Sequence, residues 1–149
     1  MGIRIGIVLA MLGRRAGGPE TYEQQLLQAL AALDPRNEYH VWLLDQAAAN
    51  ALCVDQPNIV PHLLWPATRW ISMAVSLPLA IKRYQLRLLH ATFAPPPICP
   101  VDLALTMHGS VTFSHPHFYP PRVVARLNPL LRKGLQRARL TVCVSDFVK

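Results

Sequence analysis

The chain has little of what would assign it to a membrane span, a disulfide scaffold or a metal centre. Its three cysteines, Cys53, Cys99 and Cys143, are odd in number and widely spaced, and no C-x-x-C pair occurs. That usage suits a reducing cytoplasm rather than a disulfide framework, and Cys143, inside an apolar run, reads as a buried thiol. The apolar stretch from Trp70 to Ile81 runs twelve residues, well short of the roughly 20 that a spanning helix needs. The N-terminus does not read as a signal peptide. Arg4 interrupts its apolar run, and Gly13-Arg14-Arg15 stands where a small-residue cleavage site would be. There is no internal repeat and no low-complexity tract.

Acidic residues are also scarce, with eight Asp and Glu against fifteen Lys and Arg and a net charge of +7. The imbalance is local. Residues 1–121 carry eight basic and seven acidic residues, whereas residues 122–149 carry seven basic residues and a single acid, Asp146. The basic character therefore belongs to one late element and points to an acidic partner at one face.

What is present is a globular pattern. Apolar residues make up 52% of 149 residues, which suits one domain able to hide about 68–70% of its unfolded surface. Strand and helix signals alternate. Ile3–Ala10 reads as a strand buried on both faces, and Pro19–Leu33 as a helix with proline in its first turn. On that helix Tyr22, Leu26, Ala29, Leu30 and Leu33 share one face, and the spacing turns Glu23, Gln24 and Gln28 away from it. Strands follow at Tyr39–Leu44, Asn58–His62, Leu86–His90, Leu103–Met107 and Leu140–Val144. A short helix is expected over Gln46–Leu52, a helix over Arg69–Tyr84 with a kink or break at Pro78, and a helix over Pro121–Arg137 bent at Asn128-Pro129. Ser110–Pro120 reads as a polar and aromatic loop. This order predicts an α/β fold, a Rossmann-like open and mainly parallel sheet with helices on both faces.

In such sheets ligands sit beyond the carboxyl ends of the strands. The residues to inspect are therefore Gly17, Gly18, Asp45, His90, His108 and Ser145. The glycine turn before the first helix can offer free backbone N–H groups and a positive helix end to phosphate, or it is only a tight turn that needs φ > 0. Use of the same turn for a dinucleotide, with Asp45 on a ribose, is disfavoured. The glycines run Gly13-x-x-x-Gly17-Gly18 rather than G-x-G-x-x-G.

Four segments, taken together, carry a family resemblance. Gly17-Gly18-Pro19-Glu20-Thr21-Tyr22 precedes Gln25-Leu26-Leu27-Gln28-Ala29-Leu30. Leu88-Leu89-His90-Ala91 leads to Pro95-Pro96, and Leu105-Thr106-Met107-His108 comes before His115-Pro116. Arg137-Ala138-Arg139 leads to Val142-Cys143-Val144-Ser145-Asp146-Phe147-Val148-Lys149. In this order the chain resembles, over nearly its whole length, the N-terminal domain of family 4 retaining glycosyltransferases of the GT-B type. The resemblance implies a two-domain enzyme whose N-terminal Rossmann-like domain takes the acceptor. A C-terminal domain grips the nucleotide-sugar donor, and nothing in residues 1–149 corresponds to it. Lys149 falls after a strand and a turn, where a further helix is expected, so the chain reads as the front half.

The resemblance implies roles for the rim residues. Gly17 and Gly18 contact the donor phosphates, His108 lies near the transferred sugar, and His90 and Ser145 face the cleft. One departure is Gly109, where such proteins usually carry an acidic residue. Read without the resemblance, His108 is a histidine bonded to a neighbouring carbonyl, and Ser145 is a cap for a following helix. His115-Pro116-His117 with His108 does not make a convincing metal site, because no cysteine or carboxylate pair stands nearby, and no metal or other cofactor is expected.

The late helix places Arg122, Arg126, Lys133 and Arg137 within roughly 60° of one another at 100° per residue. Val123, Leu127, Leu130, Leu131 and Leu135 occupy the adjoining side. Such a basic amphipathic helix either packs on the sheet with its charges in water or docks on an anionic membrane or a phosphorylated lipid acceptor. Nucleic acid is disfavoured for want of any binding motif. The expected partners are a nucleotide-sugar donor, a hydroxyl acceptor and an anionic membrane surface, in a cytoplasmic protein peripheral to the inner face of the membrane. The alternative function is a non-catalytic module that uses helix 121–137 to bind a membrane surface or a partner.

Overall fold

The computed structural model describes residues 2–66 and 68–149. The elements β1 (Arg4–Leu9), α1 (Gly18–Leu33), β2 (Glu38–Leu43), α2 (Gln46–Ala51) and β3 (Ile59–Leu63) build the first half. The second half contains α3 (Arg69–Ile71), a π turn (Ser72–Ser76), α4 (Leu77–Arg83), β4 (Leu88–Ala91), β5 (Asp102–Met107), α5 (Val111–Ser114), a short 3-10 turn (Pro116–Phe118), α6 (Pro121–Arg137) and β6 (Leu140–Cys143). The six strands form one sheet in the order β3-β2-β1-β4-β5-β6, and every pair is parallel. The expected α/β Rossmann-like class holds. The strand order reverses between β1 and β4, which opens a crevice at the carboxyl ends of those two strands.

β1 and β2 alternate between two cores. Ile7, Leu9, Val41 and Leu43 pack with Leu27 of α1 on one face. Val8, Trp42, Leu89, Leu103, Leu105 and Met107 pack with Met73, Leu77, Ile81 and Leu131 on the other. Gly6 is required on the second face, because a Cβ there would lie 2.8 Å from both Leu86 Cδ1 and Leu89 Cδ1 and 3.0 Å from the Trp42 ring. Pro61 interrupts the pattern of β3 without cost to the interior, because β3 is an edge strand.

The 69–83 segment breaks before Pro78 rather than kinking there, as α3 gives way to the π turn and α4 restarts. Pro78 has no N–H to continue the α-helical ladder. The chain widens to π spacing over the five residues before Leu77, whose N–H reaches back to the Ser72 carbonyl. The helix then restarts with Pro78 in its first turn, where no N–H is needed. The 110–120 stretch is likewise more ordered than a loop, since it holds α5 and the 3-10 turn. Helix α6 has the expected bounds and keeps Pro129 in its interior. Asn128 Nδ2 donates to the Thr112 carbonyl at 2.8 Å and ties the helix to α5. At Gly134 the helix comes so close to the loop after β4 that a Cβ would lie 2.4 Å from Pro95 Cγ.

Three expectations about burial are overturned. Cys143 is half-buried rather than enclosed, because β6 is the other edge of the sheet and covers only one side of it. Leu33, expected on the packed face of α1, is 82% exposed at the helix end. Glu23, expected to face solvent, is fully buried.

Candidate functional site

The crevice between β1 and β4 is where the sequence suggested free N–H groups for phosphate. It is already filled from within the chain. The Glu23 carboxylate accepts from the N–H groups of Ala10 at 2.8 Å, Met11 at 3.0–3.1 Å and Leu12 at 2.7 Å. It also meets the hydroxyl of Thr92, the first residue after β4, and that hydroxyl lies 2.8 Å from the Val8 carbonyl. One turn earlier on α1, Glu20 accepts from Gly13 N–H at 2.8 Å and Ala16 N–H at 2.9 Å. Carboxylates on the first turns of a helix also suit its positive end. Burial pushes the Glu23 carboxyl above its usual range, while the hydroxyl and the three N–H groups pull it back.

Only the outer lip of the turn stays open. Gly17 has φ 65°, the conformation that favours glycine, and a Cβ on Gly17 or Gly18 would meet nothing within 4 Å. Among the described residues no hydrogen bond engages the N–H of Gly17 or of Gly18. Arg14 does not add free charge there. Its guanidinium pairs at 2.6 Å with Asp45, whose other oxygen caps α2 through the N–H of Ala48. Asp45 is thus committed to the fold rather than presented to a ribose.

A pocket of about 250 Å³ connects this lip to the end of β5 and is lined by Pro19, Met107, His108, Gly109, Tyr119 and Leu131, among others. Pro19 adjoins the two glycines, so the turn and His108 share one rim. The His108 ring is held from three sides. Nε2 lies 2.8 Å from the Thr92 carbonyl, Tyr22 meets the ring edge-on at 5.0 Å, and Phe93 stacks at 6.1 Å. A carbonyl only accepts, so Nε2 carries the proton and Nδ1 is left as an acceptor. Burial holds the imidazole below its usual pKa, with the Thr92 carbonyl opposing, so the ring is neutral at neutral pH. His108 is therefore both bonded to a neighbouring carbonyl and placed at a pocket.

The remaining candidates are not assembled with it. His90 lies within β4, not beyond it. Its Nε2 is 2.8 Å from Thr106 Oγ1, which in turn is 3.0 Å from the Tyr22 hydroxyl. Burial drops the His90 pKa to about 4. Ser145 is exposed in a turn closed by the Val148 N–H on its carbonyl, and it lines neither this pocket nor the apolar cavity beside α6. His115 and His117 cross edge-on at 5.8 Å and stand apart from the His108 cluster. Among the described residues no three His, Cys, Asp or Glu are grouped to hold a metal.

On α6, Arg122, Arg126 and Lys133 are exposed and have no carboxylate partner among the described residues. Arg137 is different, because its guanidinium donates to the Cys99 carbonyl at 2.7 Å and pins α6 to the loop after β4. Among the described residues no helix is long and apolar enough to cross a membrane.

Sequence reasoning missed Glu23, Glu20, Thr92 and Thr106. Two acids three residues apart, just after a glycine turn that follows a strand, were the available signal. Helical periodicity alone turned Glu23 outward.

A family model described as Glycosyltransferase Family 4 matches residues 16–149. No curated protein matches the chain.

Two outcomes follow from the buried groups. Glu23→Gln keeps the shape but turns an amide N–H toward backbone N–H donors, which leaves at least one donor unpaired. It is expected to lower unfolding stability by about 1–3 kcal/mol, read from urea midpoints, and to shift the His108 ring resonances through Thr92. The depressed His90 pKa means the unfolded chain takes up a proton before the folded one does. The stability it contributes is complete above about pH 6.5 and drains away as the pH falls toward about pH 4; the depressed pKa values of His40, His62 and His108 act in the same direction. His90→Leu, which leaves Thr106 bonded to Tyr22, is expected to shrink the loss of stability between about pH 7 and pH 5. An unchanged acid limb would refute that assignment.

Proposed function

The chain belongs to glycosyltransferase family 4, and we propose that it is the acceptor-side domain of a retaining enzyme. That enzyme moves a sugar from a nucleoside diphosphate donor to a hydroxyl of a lipid or polysaccharide acceptor. The observation that carries this reading is the shared pocket of Pro19 and His108. Pro19 adjoins the two glycines, and on this reading the N–H groups of Gly17 and Gly18 and the Nδ1 of His108 address one bound molecule.

The division of labour follows from charge. In the transition state, negative charge grows on the departing diphosphate and positive charge on the sugar ring. Backbone donors at Gly17 and Gly18, at the positive end of the sixteen-residue α1, suit the former. The Nδ1 lone pair of His108 accepts from a sugar or acceptor hydroxyl and fixes its orientation. These donors reach the donor molecule from one side only, so the other wall of the crevice is assigned to a nucleotide-binding domain beyond these residues. The free thiols suit a reducing compartment, and the proposed setting is cytoplasmic.

In a titration of this chain with a nucleoside diphosphate sugar, followed by amide NMR, the Gly17, Gly18 and His108 signals are expected to move together. Shifts confined to α2 and β3 would refute the site. The 149 residues by themselves are expected to turn over no donor, and steady transfer in a sugar-transfer assay would overturn the one-sided reading.

A second reading rests on Arg122, Arg126 and Lys133, which no carboxylate neutralises among the described residues. They would hold the domain on an anionic membrane surface or a partner, at about 1 kcal/mol per basic residue near an anionic leaflet. Flotation with anionic vesicles at low salt is the check, with binding expected to be lost in Arg126→Glu/Lys133→Glu. Absence of flotation by the unmodified chain removes the membrane version.

A further inference from the structure

A second cavity, of about 290 Å³, adjoins the His108 pocket. It is lined by Trp70, Met73, Phe93, Pro95, Leu127 and Leu130, and among the described residues its charged lining residues are Arg122 and Arg126. Phe93 and Leu127 line both spaces, so the two form one groove, with an apolar end beside Arg122 and Arg126 and His108 at the other end. The apolar end is made by three elements that need not have met there. The π turn brings Met73 against the core, the Pro95 ring lies against Gly134 of α6, and α6 contributes both its leucines and its arginines.

We propose that this groove binds a single amphiphilic acceptor. Its apolar chain fills the 290 Å³ cavity, its anionic headgroup pairs with Arg122 and Arg126, and its acceptor hydroxyl reaches the His108 pocket. This rests on the reading of His108 and the glycine lip as a sugar-transfer site, and it narrows the acceptor from any hydroxyl compound to one with a hydrocarbon chain beside a phosphate-like charge. A polysaccharide would leave an apolar cavity with nothing to fill it. A free anion would have no use for the cavity, and a membrane surface would meet the arginines without entering it. Apolar pockets of this scale with a few polar groups at the rim are the usual form of small-molecule sites.

The test uses soluble alkyl phosphates below their micelle concentration, titrated into the chain and followed by calorimetry. Octyl, decyl and dodecyl phosphate should bind one to one, each added methylene that enters the cavity tightening binding up to about fourfold, whereas inorganic phosphate should not bind measurably. Val123 is exposed at the cavity wall, so Val123→Trp should fill the space without disturbing the core and weaken dodecyl phosphate by about tenfold or more. Arg122→Ser/Arg126→Ser, a second variant confined to exposed positions, should weaken decyl phosphate but leave decanol unchanged. Affinity independent of chain length, or unchanged in both variants, overturns the proposal. So does binding of inorganic phosphate as tight as that of the alkyl esters. Failure here leaves the glycine and His108 amide shifts with a nucleoside diphosphate sugar untouched, while success here with no such shifts would sink the donor reading alone.

Discussion

The structure depends on one buried carboxylate. Glu23 stands at the point where the strand order reverses and gathers three successive backbone N–H groups from the end of β1 together with the hydroxyl that follows β4. Parallel strands β1 and β4 pair along four residues, but beyond those pairs the two chain ends diverge, and their polar groups would otherwise be buried without partners. Unpaired buried N–H groups cost about 1–3 kcal/mol each. A single acid, delivered from α1, answers all of them at once and fixes the angle at which α1 crosses the sheet. The cost is a desolvated charge, which is why its pKa rises, and the multiple donors keep that cost bounded.

The same carboxylate decides where function is available. Because Glu20 and Glu23 take the N–H groups of residues 10–13 and 16, the inner crevice is closed to phosphate, and what remains open is the outer lip at Gly17 and Gly18. Thr92 carries the constraint further. Its hydroxyl is held at Glu23 and Val8, and its carbonyl takes the His108 Nε2 proton. The tautomer of His108 is thereby set by a chain of contacts that begins on α1. The polar network is continuous from the first turn to the histidine, so a change at Glu23 is felt at the pocket without touching it.

Much of this was legible in the sequence because it rests on local chemistry. Alternating apolar runs and turn residues predicted each of the six strands to within about two residues, the usual boundary scatter, and Pro121 to Arg137 has the predicted bounds because proline opens it and an apolar stripe runs its length. The closeness of His108 to the glycine turn followed from the general rule for parallel sheets. The features that were not legible all depend on contacts between distant residues. Periodicity assigns an acid to solvent by default, and only the meeting of α1 with the ends of β1 and β4 makes a buried Glu23 favourable. His90 sits inside β4 because the strand runs one residue past it, to Ala91. Arg137 looked like one of four equivalent surface cations, but the loop after β4 supplies a carbonyl, at Cys99, that no spacing rule foresees.

The two faces of the sheet therefore bear different loads. The α1 face combines an apolar core with the Glu20 and Glu23 hydrogen bonds that occupy the N–H groups of residues 10–13 and 16. The α6 face is held by packing. There Pro129 removes an N–H from the middle of the helix, Gly134 lets it lie on Pro95, and the π turn before Pro78 brings Met73 to the lining of the cavity beside α6. The apolar cavity beside α6 lies next to the His108 pocket, and the two spaces are of similar size. The two spaces meet at Phe93 and Leu127, so the ring that Thr92 orients and the leucines of α6 face one continuous groove.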